Sequence, residues 1–383
     1  MERKGLNFCS HGMDVYSDNT TLLDSTSGYE APDEDDRSLV YRIIATFLHV
    51  VILVCGVFGN TVLIIVARRF KTLQTPTYSY LVSLAFADLI VLVSAVPDAI
   101  VFHHIGIRFV SGQVGCSLMI FGNFLGINAG SLSILAFTME RYIAVMHPLK
   151  AQKVCTVERA NKVIVAVWIF AVLYCSPWLG LTQITRPYPD KPDLPICDFR
   201  LSKDQYVYFF SADLLLFYIL PLIVCAFVYI RIWYVFRRQK NVERSGSFYS
   251  HSSHSNNSLH LPLNGTLPRL NSTSFVAIPK AVTLNGTVSV KAKNGERSKA
   301  LTMLIVVVLL FAVCWLPFRG LLVYNSFTST PWLDIWYLLF AKTLIYINSA
   351  INPFLYNAMS AKFRSAVYQL LHLRKPVPEI CLL

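Results

Sequence analysis

Charge is what this chain has least of. Asp, Glu, Lys and Arg together make up 15% of its 383 residues, while 54% are hydrophobic; a soluble domain carries about a quarter charged residues. So little charge excludes an ordinary water-soluble fold, and the membrane has to be the solvent. The nine cysteines form no CxxC pair, and no His-rich cluster stands at metal-ligand spacing, so no metal centre is expected. No nucleophile with a base beside it stands out, which speaks against an enzyme. Internal duplication with paired broken helices is missing too, which speaks against a transporter. Residues 1–40, acidic at Asp33-Glu34-Asp35-Asp36, hold no apolar run of the roughly 7 to 15 residues that a signal peptide needs. Translocation then falls to the first membrane span.

What the chain does have is seven apolar segments, at 42–67, 78–102, 113–146, 160–182, 205–236, 299–325 and 331–356, each long enough to cross a bilayer. The expected fold is therefore an all-α membrane protein, a seven-transmembrane helix bundle over 42–358. Before it stands a tail at 1–41, and 359–383 follows as a short amphipathic helix and tail. An odd number of spans puts the termini on opposite sides. The connections after spans one, three and five hold Arg68, Arg69 and Lys71, then Lys150, Lys153, Arg159 and Lys162, then Arg237, Arg238, Lys240 and Arg244. Across the membrane, Arg186, Lys191, Arg200 and Lys203 are offset by four aspartates. This bias predicts an extracellular amino terminus and a cytoplasmic carboxyl terminus at the plasma membrane. The net charge of +12 is read as topology, with membrane lipid and no nucleic acid as partner.

Asn19 opens an N-x-T sequon that such a topology would expose to glycosylation. Asn264, Asn271 and Asn285 open further sequons inside the connection at 238–297, which the topology makes cytoplasmic. Its Ser, Asn and Gly content predicts a disordered linker. After the last span, Lys362, Arg364, His372 and Arg374 alternate with Phe363, Val367, Leu370 and Leu371, the pattern of a helix lying on the membrane surface.

Along span three the rise from Cys116 to Arg141 is roughly 38 Å, about one bilayer with part of its headgroup zones. The span joins a cysteine at one face to Glu140-Arg141 at the other. Asp88 lies inside span two with no cation near it in sequence, so it must find donors in the bundle interior. Asn60, Asn348, Ser349 and Asn352 are the expected partners, with a sodium ion as a further guest. Pro97, Pro177, Pro221, Pro317 and Pro353 each predict a kink or hinge. Asp98, Asn123, Phe124, Asn128, Asp213, Phe318, Arg319, Tyr324, Lys342 and Tyr346 all fall in the halves of their spans nearer Cys116, where polar groups line a ligand-filled space. For any single one the alternative is helix packing. An acid on span three, which would capture an amine, is absent; Asn123 and Asn128 stand at that depth.

Gly59-Asn60, LAFAD ending at Asp88, Cys116, Glu140-Arg141-Tyr142, Trp168, Pro221 with Tyr229, CWLP from Cys314 to Pro317 and NSAINPFLY from Asn348 to Tyr356 follow in order across all seven spans. Together they resemble the signature of a rhodopsin-like (class A) G-protein-coupled receptor. The resemblance implies a disulfide between Cys116 and Cys197. It implies an Arg141 held by Glu140 at rest and released towards Tyr229 and Tyr356 when span six swings outward, so that a heterotrimeric G protein can enter. It implies Trp315 as the packing switch beneath the ligand, with Pro317, Asn352 and Pro353 in the moving parts. Gly130 departs from the pattern, since many members carry a serine there near the sodium site.

Within that family TPTYSYLVSLAFADLIVLVSA from Thr75, LGINAGSLSILAFTMERYIAVMHPLKAQ from Leu125 and YINSAINP from Tyr346 resemble the thyrotropin-releasing-hormone receptors. The likeness implies a short, amidated neuropeptide as ligand and a Gq-class G protein acting through phospholipase C and calcium, with arrestin as a further partner. It also implies no cofactor beyond a sodium ion. Of that subfamily's four hormone contacts only the asparagine is kept, at Asn128; Phe124 and Phe318 replace tyrosines and Lys342 replaces an arginine. A shifted peptide specificity is therefore expected, and a ligand-independent or decoy receptor is the alternative.

Overall fold

The computed structural model describes residues 38–186, 192–201, 203–251, 284–328, 332 and 334–371. The sequon at Asn19, those at Asn264 and Asn271, and the tail residues His372 and Arg374 lie outside them. Helices α1 (Leu39–Arg69), α2 (Pro76–Ile105) and α3 (Gly112–Met146) come first, then the short α4 (Pro148–Val154) and α5 (Val157–Cys175). Strands β1 (Thr182–Thr185) and β2 (Ile196–Phe199) form a hairpin, followed by α6 (Lys203–Leu214), α7 (Leu220–His251), α8 (Leu284–Phe327), α9 (Ile335–Met359) and α10 (Ala361–Leu370). Among the described residues seven helical spans are long and apolar enough to cross a membrane. Large apolar side chains such as Phe47 and Leu173, each 67% exposed, point outward, as hydrocarbon solvent requires.

Close helix approach in lipid needs small residues, because no hydrophobic force drives one apolar helix against another. On α3, Gly122 and Gly126 supply them towards α2. A Cβ on Gly126 would fall 2.8 Å from the Ala87 carbonyl oxygen and 2.7 Å from Val91 Cγ2. The α2–α3 pair can therefore close to backbone contact there. At the start of α3, the Gln113 side chain donates to the Thr182 carbonyl at 2.9 Å and accepts from the Ile184 N–H at 2.9 Å. A disulfide joins Cys116 to Cys197 of β2. The hairpin is thus stitched over one end of the bundle, here termed the disulfide end.

Proline leaves the carbonyl four residues before it without its helical donor. Two spans repair the gap from a neighbouring helix. Pro221 orphans the Phe217 carbonyl in a π turn at Leu215–Ile219 that joins α6 to α7, and Ser131 Oγ of α3 donates to it at 2.6 Å. Pro353 orphans the Ser349 carbonyl, and Asn60 Nδ2 of α1 donates to it at 2.9 Å. Pro177 behaves otherwise: it sits in the 3₁₀ turn Ser176–Leu179 and ends α5 rather than kinking a span.

Three boundaries differ from the sequence reading. The fourth span gives way to β1 at Thr182 because Pro177 halts the ladder. The seventh begins at Ile335, since Asp334 caps it by accepting from the Tyr337 N–H at 2.7 Å. Helix α7 runs to His251 and α8 starts at Leu284, so 238–251 and 284–297 are helical where composition predicted a disordered linker. Extending a formed helix adds one hydrogen bond per residue, without a new nucleation step. At the far end Ser360 Oγ caps α10 through the Phe363 N–H at 3.2 Å, and Phe363 and Ala366 turn inward.

Candidate functional site

Beneath the hairpin lies a cavity of about 950 Å³ of empty space, open mouth included. Of the residues expected to bind ligand, Asn123 and Phe124 of α3, Phe318 and Arg319 of α8, and Lys342 and Tyr346 of α9 all line it, together with Asp98 of α2 and Trp315. Three others do not. Tyr324 is 55% exposed and stands away from the cavity. Asn128 and Asp213 are buried behind its wall, at 0% and 1% exposure. Asn128 Nδ2 donates to Asp213 Oδ1 at 2.9 Å, and Arg319 Nη2 donates to Asp213 Oδ2 at 2.9 Å. The Arg319 guanidinium also lies 5.4 Å from the Trp315 ring centroid. Asp213 and Asn128 therefore anchor the cavity's arginine from behind.

The sequence reading missed one wall of the cavity. Phe199 of β2 and Phe210 of α6 line it, and Phe124 stacks on Trp178 at 4.5 Å with planes 9° apart. Trp178 stacks in turn on Phe210 at 5.6 Å and Tyr206 at 5.9 Å. The aromatic density of YVYFF at 206–210 was the available signal; that it meets Trp178 and Phe124 follows only from the folded hairpin.

Mid-bundle, Asp88 is 4% exposed and accepts from Asn352 Nδ2 at 2.9 Å. Ser349 hydrogen-bonds the same carboxylate through its side chain. Asn60 donates instead to the Gly56 and Ser349 carbonyls, and Asn348 contributes its backbone carbonyl, 3.3 Å from Asn352 Nδ2. Asn60 Oδ1 is buried with no hydrogen-bond partner. Around Gly130 an added Cβ would meet only Ala87 and Leu84, each at 3.6 Å. The oxygens that could face a cation are thus those of Asp88, Ser349 and Asn60, and α3 adds none at Gly130.

At the end opposite the disulfide, the expected clasp of Arg141 by Glu140 is not what forms. Glu140 Oε2 pairs with Arg159 of α5 at 3.8 Å, while the Arg141 guanidinium lies over the Phe137 ring at 5.6 Å. Arg159 comes from the neighbouring helix, while Glu140 still acts electrostatically on the adjacent Arg141. The Tyr229 hydroxyl meets Thr138 Oγ1 at 3.2 Å, Tyr356 is 0% exposed, and Tyr142 packs edge-on against His147. Between α4 and α5, burial first and then a hydrogen bond to Glu140 push the Cys155 thiol up to about 11.

The description "7 transmembrane receptor (rhodopsin family)" matches residues 59–356, the stretch from the first asparagine network to the last buried tyrosine. The chain belongs to the rhodopsin family of seven-transmembrane receptors. Family membership makes it a multi-pass membrane receptor of the G-protein-coupled class rather than an enzyme. It is 38% identical over 346 residues to the thyrotropin-releasing hormone receptor of Mus musculus, covering 89% of this chain and 82% of that one. The Homo sapiens thyrotropin-releasing hormone receptor is also 38% identical over 346 residues, 89% of this chain and 81% of that one. The neuromedin-U receptor 2 of Mus musculus is 28% identical over 358 residues, 90% of this chain and 79% of that one. The Cys116–Cys197 bond implied by the family resemblance is present in this receptor.

Proposed function

We propose that this receptor is activated by a short, amidated peptide and signals through a Gq-class G protein to phospholipase C and calcium. The observation that carries the reading is the cavity itself. Its lining combines Asp98 with two cations, Arg319 and Lys342, among seven aromatic residues, Phe109, Phe124, Phe199, Phe210, Trp315, Phe318 and Tyr346. Such a lining suits amide and carbonyl groups flanked by apolar side chains. Arg319 and Lys342 bring cationic donors to the lining that suit a peptide carbonyl. No acid from α3 faces the cavity, which disfavours an amine. The matched relatives are named as receptors for thyrotropin-releasing hormone and for neuromedin U, and both names support a peptide.

Basic residues after α1, α3 and in α7 support a cytoplasmic face at the Arg141 end and an extracellular disulfide end at the plasma membrane. The G protein then enters beside Arg141 when α8 swings outward from Tyr229 and Tyr356, with Trp315, Pro317, Asn352 and Pro353 carrying the motion. Tyr142 borders the same opening. Arrestin is the partner for the phosphorylated state, and Asn19 the glycosylated position. A sodium ion would take Asp88, Ser349 and Asn60 oxygens, and without an α3 hydroxyl at Gly130 it binds weakly.

Because Phe124 and Phe318 lack phenol hydroxyls and Lys342 offers a point charge rather than a planar fork, the peptide differs from thyrotropin-releasing hormone. Intracellular calcium in cells expressing the chain, challenged with that hormone and a panel of short amidated peptides beside Arg141→Ala, tests the reading. A response to a panel peptide that Arg141→Ala abolishes is expected. A response to the hormone at low concentration overturns the shifted specificity. Silence to all at confirmed surface expression overturns the proposed ligand class or coupling, and favours a ligand-independent or decoy receptor.

A further inference from the structure

Two imidazoles are buried where membrane helices rarely place them. His49 of α1 is 0% exposed and His103 of α2 is 3%. His103 Nε2 stands 3.0 Å from His49 Nδ1. On the outer side of each ring the row continues, with His103 Nδ1 3.2 Å from the Tyr41 hydroxyl and His49 Nε2 3.2 Å from Thr343 Oγ1. Tyr41, His103, His49 and Thr343 thus lace α1, α2 and α9 together. The row abuts the cavity: the His49 ring meets Tyr346 edge to face at 5.1 Å, and Tyr346 lines the cavity with Lys342.

Proton counting gives the row its character. A neutral imidazole has one N–H and one lone pair. Every hydrogen bond in the row is made when each ring carries one proton, with Tyr41 donating to His103, His103 to His49 and His49 to Thr343, or with all three reversed. One extra proton turns both outer nitrogens into donors. A second sets two N–H groups against each other across the 3.0 Å gap and breaks the link. The charged and titratable groups around the row are Lys342 and Tyr346 from α9, Asp98 and His104 from α2, and Tyr41 from α1. Lys342 acts electrostatically on His49, Asp98 acts on Tyr346, and the exposed His104 bonds Thr46 at 2.9 Å. Any positive charge taken up by the pair therefore adds to that of Lys342.

We propose that His49 and His103 form a proton-sensitive latch in the cavity wall, closed while the pair carries at most one extra proton and opened when acid adds the second, which frees α1 from α2 and unseats Tyr346 and Lys342. Both histidines are positioning residues: they touch the wall, not the ligand. The latch rests on the receptor reading only in taking the neighbouring cavity as the ligand site.

The test is the thermal unfolding midpoint of the purified full-length receptor, without ligand, from pH 8 to 5.5; its failure is therefore separate from failure of the peptide reading. Free imidazoles take up protons near pH 6.5, so stability that depends on the closed row is present above that range and lost below it. The wild-type midpoint is expected to fall by several degrees between pH 7.5 and 5.5. His49→Gln and His103→Gln are expected to start lower and stay flat across the same range, while His104→Gln keeps the wild-type profile. A flat wild-type profile overturns the latch, as do Gln variants that run parallel to wild type or a His104→Gln that flattens as much as His103→Gln. Where a Gln variant fails to fold, Thr343→Val leaves both imidazoles and their mutual bond in place; it is expected to keep the wild-type slope at a lower midpoint, and loss of the slope there overturns the latch.

Discussion

Arg319 Nη2 lies 2.9 Å from Asp213 Oδ2, an ion pair with both side chains nearly buried, at 8% and 2% exposure. A cation that lines the cavity is thereby held from behind by an acid 106 residues away in sequence. Removing one partner strands a buried charge, whereas removing both does not. Asp213→Ala should destabilise the receptor by about 3 to 5 kcal/mol, seen as a lower unfolding midpoint and reduced surface expression. The double variant Asp213→Ala with Arg319→Ala should recover part of that loss. A double variant as unstable as the sum of the singles would show that the two do not act as a pair.

Gly126 and Gly130 lie one turn apart on α3 yet should respond oppositely to a side chain. At Gly126 the Ala87 carbonyl oxygen is 2.8 Å from where a Cβ would sit, while at Gly130 nothing is nearer than 3.6 Å. Gly126→Ala should cost about 1 to 3 kcal/mol by overpacking, and Gly130→Ser should be tolerated. Unfolding midpoints measured with and without sodium chloride check both, and Gly130→Ser should gain sodium dependence through its added oxygen near Asp88.

Ser131 and Pro221 form a compensating pair through the Phe217 carbonyl. Ser131→Ala leaves that carbonyl without a donor and should cost about 1 to 3 kcal/mol. In a Pro221→Ala background the restored N–H can serve the carbonyl, so the same change should cost less. A double-mutant cycle on unfolding midpoints reads the difference, and equal costs in both backgrounds would rule out the compensation.

Cys155 should be slow to alkylate. Its thiol, raised to about 11 chiefly by burial and then by Glu140, holds almost no thiolate at pH 8. The thiolate is the reactive form, so the rate should climb with pH and keep climbing towards 11 rather than level off near the ordinary value. Glu140→Gln removes the carboxylate's contribution, lowers the thiol and should speed labelling at fixed pH, roughly tenfold for each unit lowered. Mass-spectrometric rates of iodoacetamide labelling at Cys155 check this.

Much of the architecture was legible before folding was considered. Hydrocarbon demands long apolar helices, so all seven spans were readable, and the depth of Asp88, Asn352, Lys342 and Tyr346 could be counted along them. Helix ends were harder. Pro177 looked like a kink within a span and proved to be its end, and Asp334 set the start of α9 through a side-chain cap that hydropathy cannot see. Of the expected ligand contacts, Lys342 and Phe318 reached the cavity, while Asn128 and Asp213, at suitable depth, turned to face each other. Glu140 was expected on Arg141 and went to Arg159.

Residence in a membrane, seven crossings and the marks of a rhodopsin-like receptor are written in the order of the residues alone. Those properties depend on composition and on position along the chain, and a rise of about 1.5 Å per residue converts position into depth. Which side chains face each other is set by the packing of the helices. The pairs Arg319 with Asp213, Glu140 with Arg159, and His49 with His103 depend on how each helix is rotated about its own axis. That rotation is set by where small residues such as Gly126 let backbones touch and where Ser131 and Asn60 reach across to carbonyls left open by proline. It is a property of the packed bundle, which no single span contains.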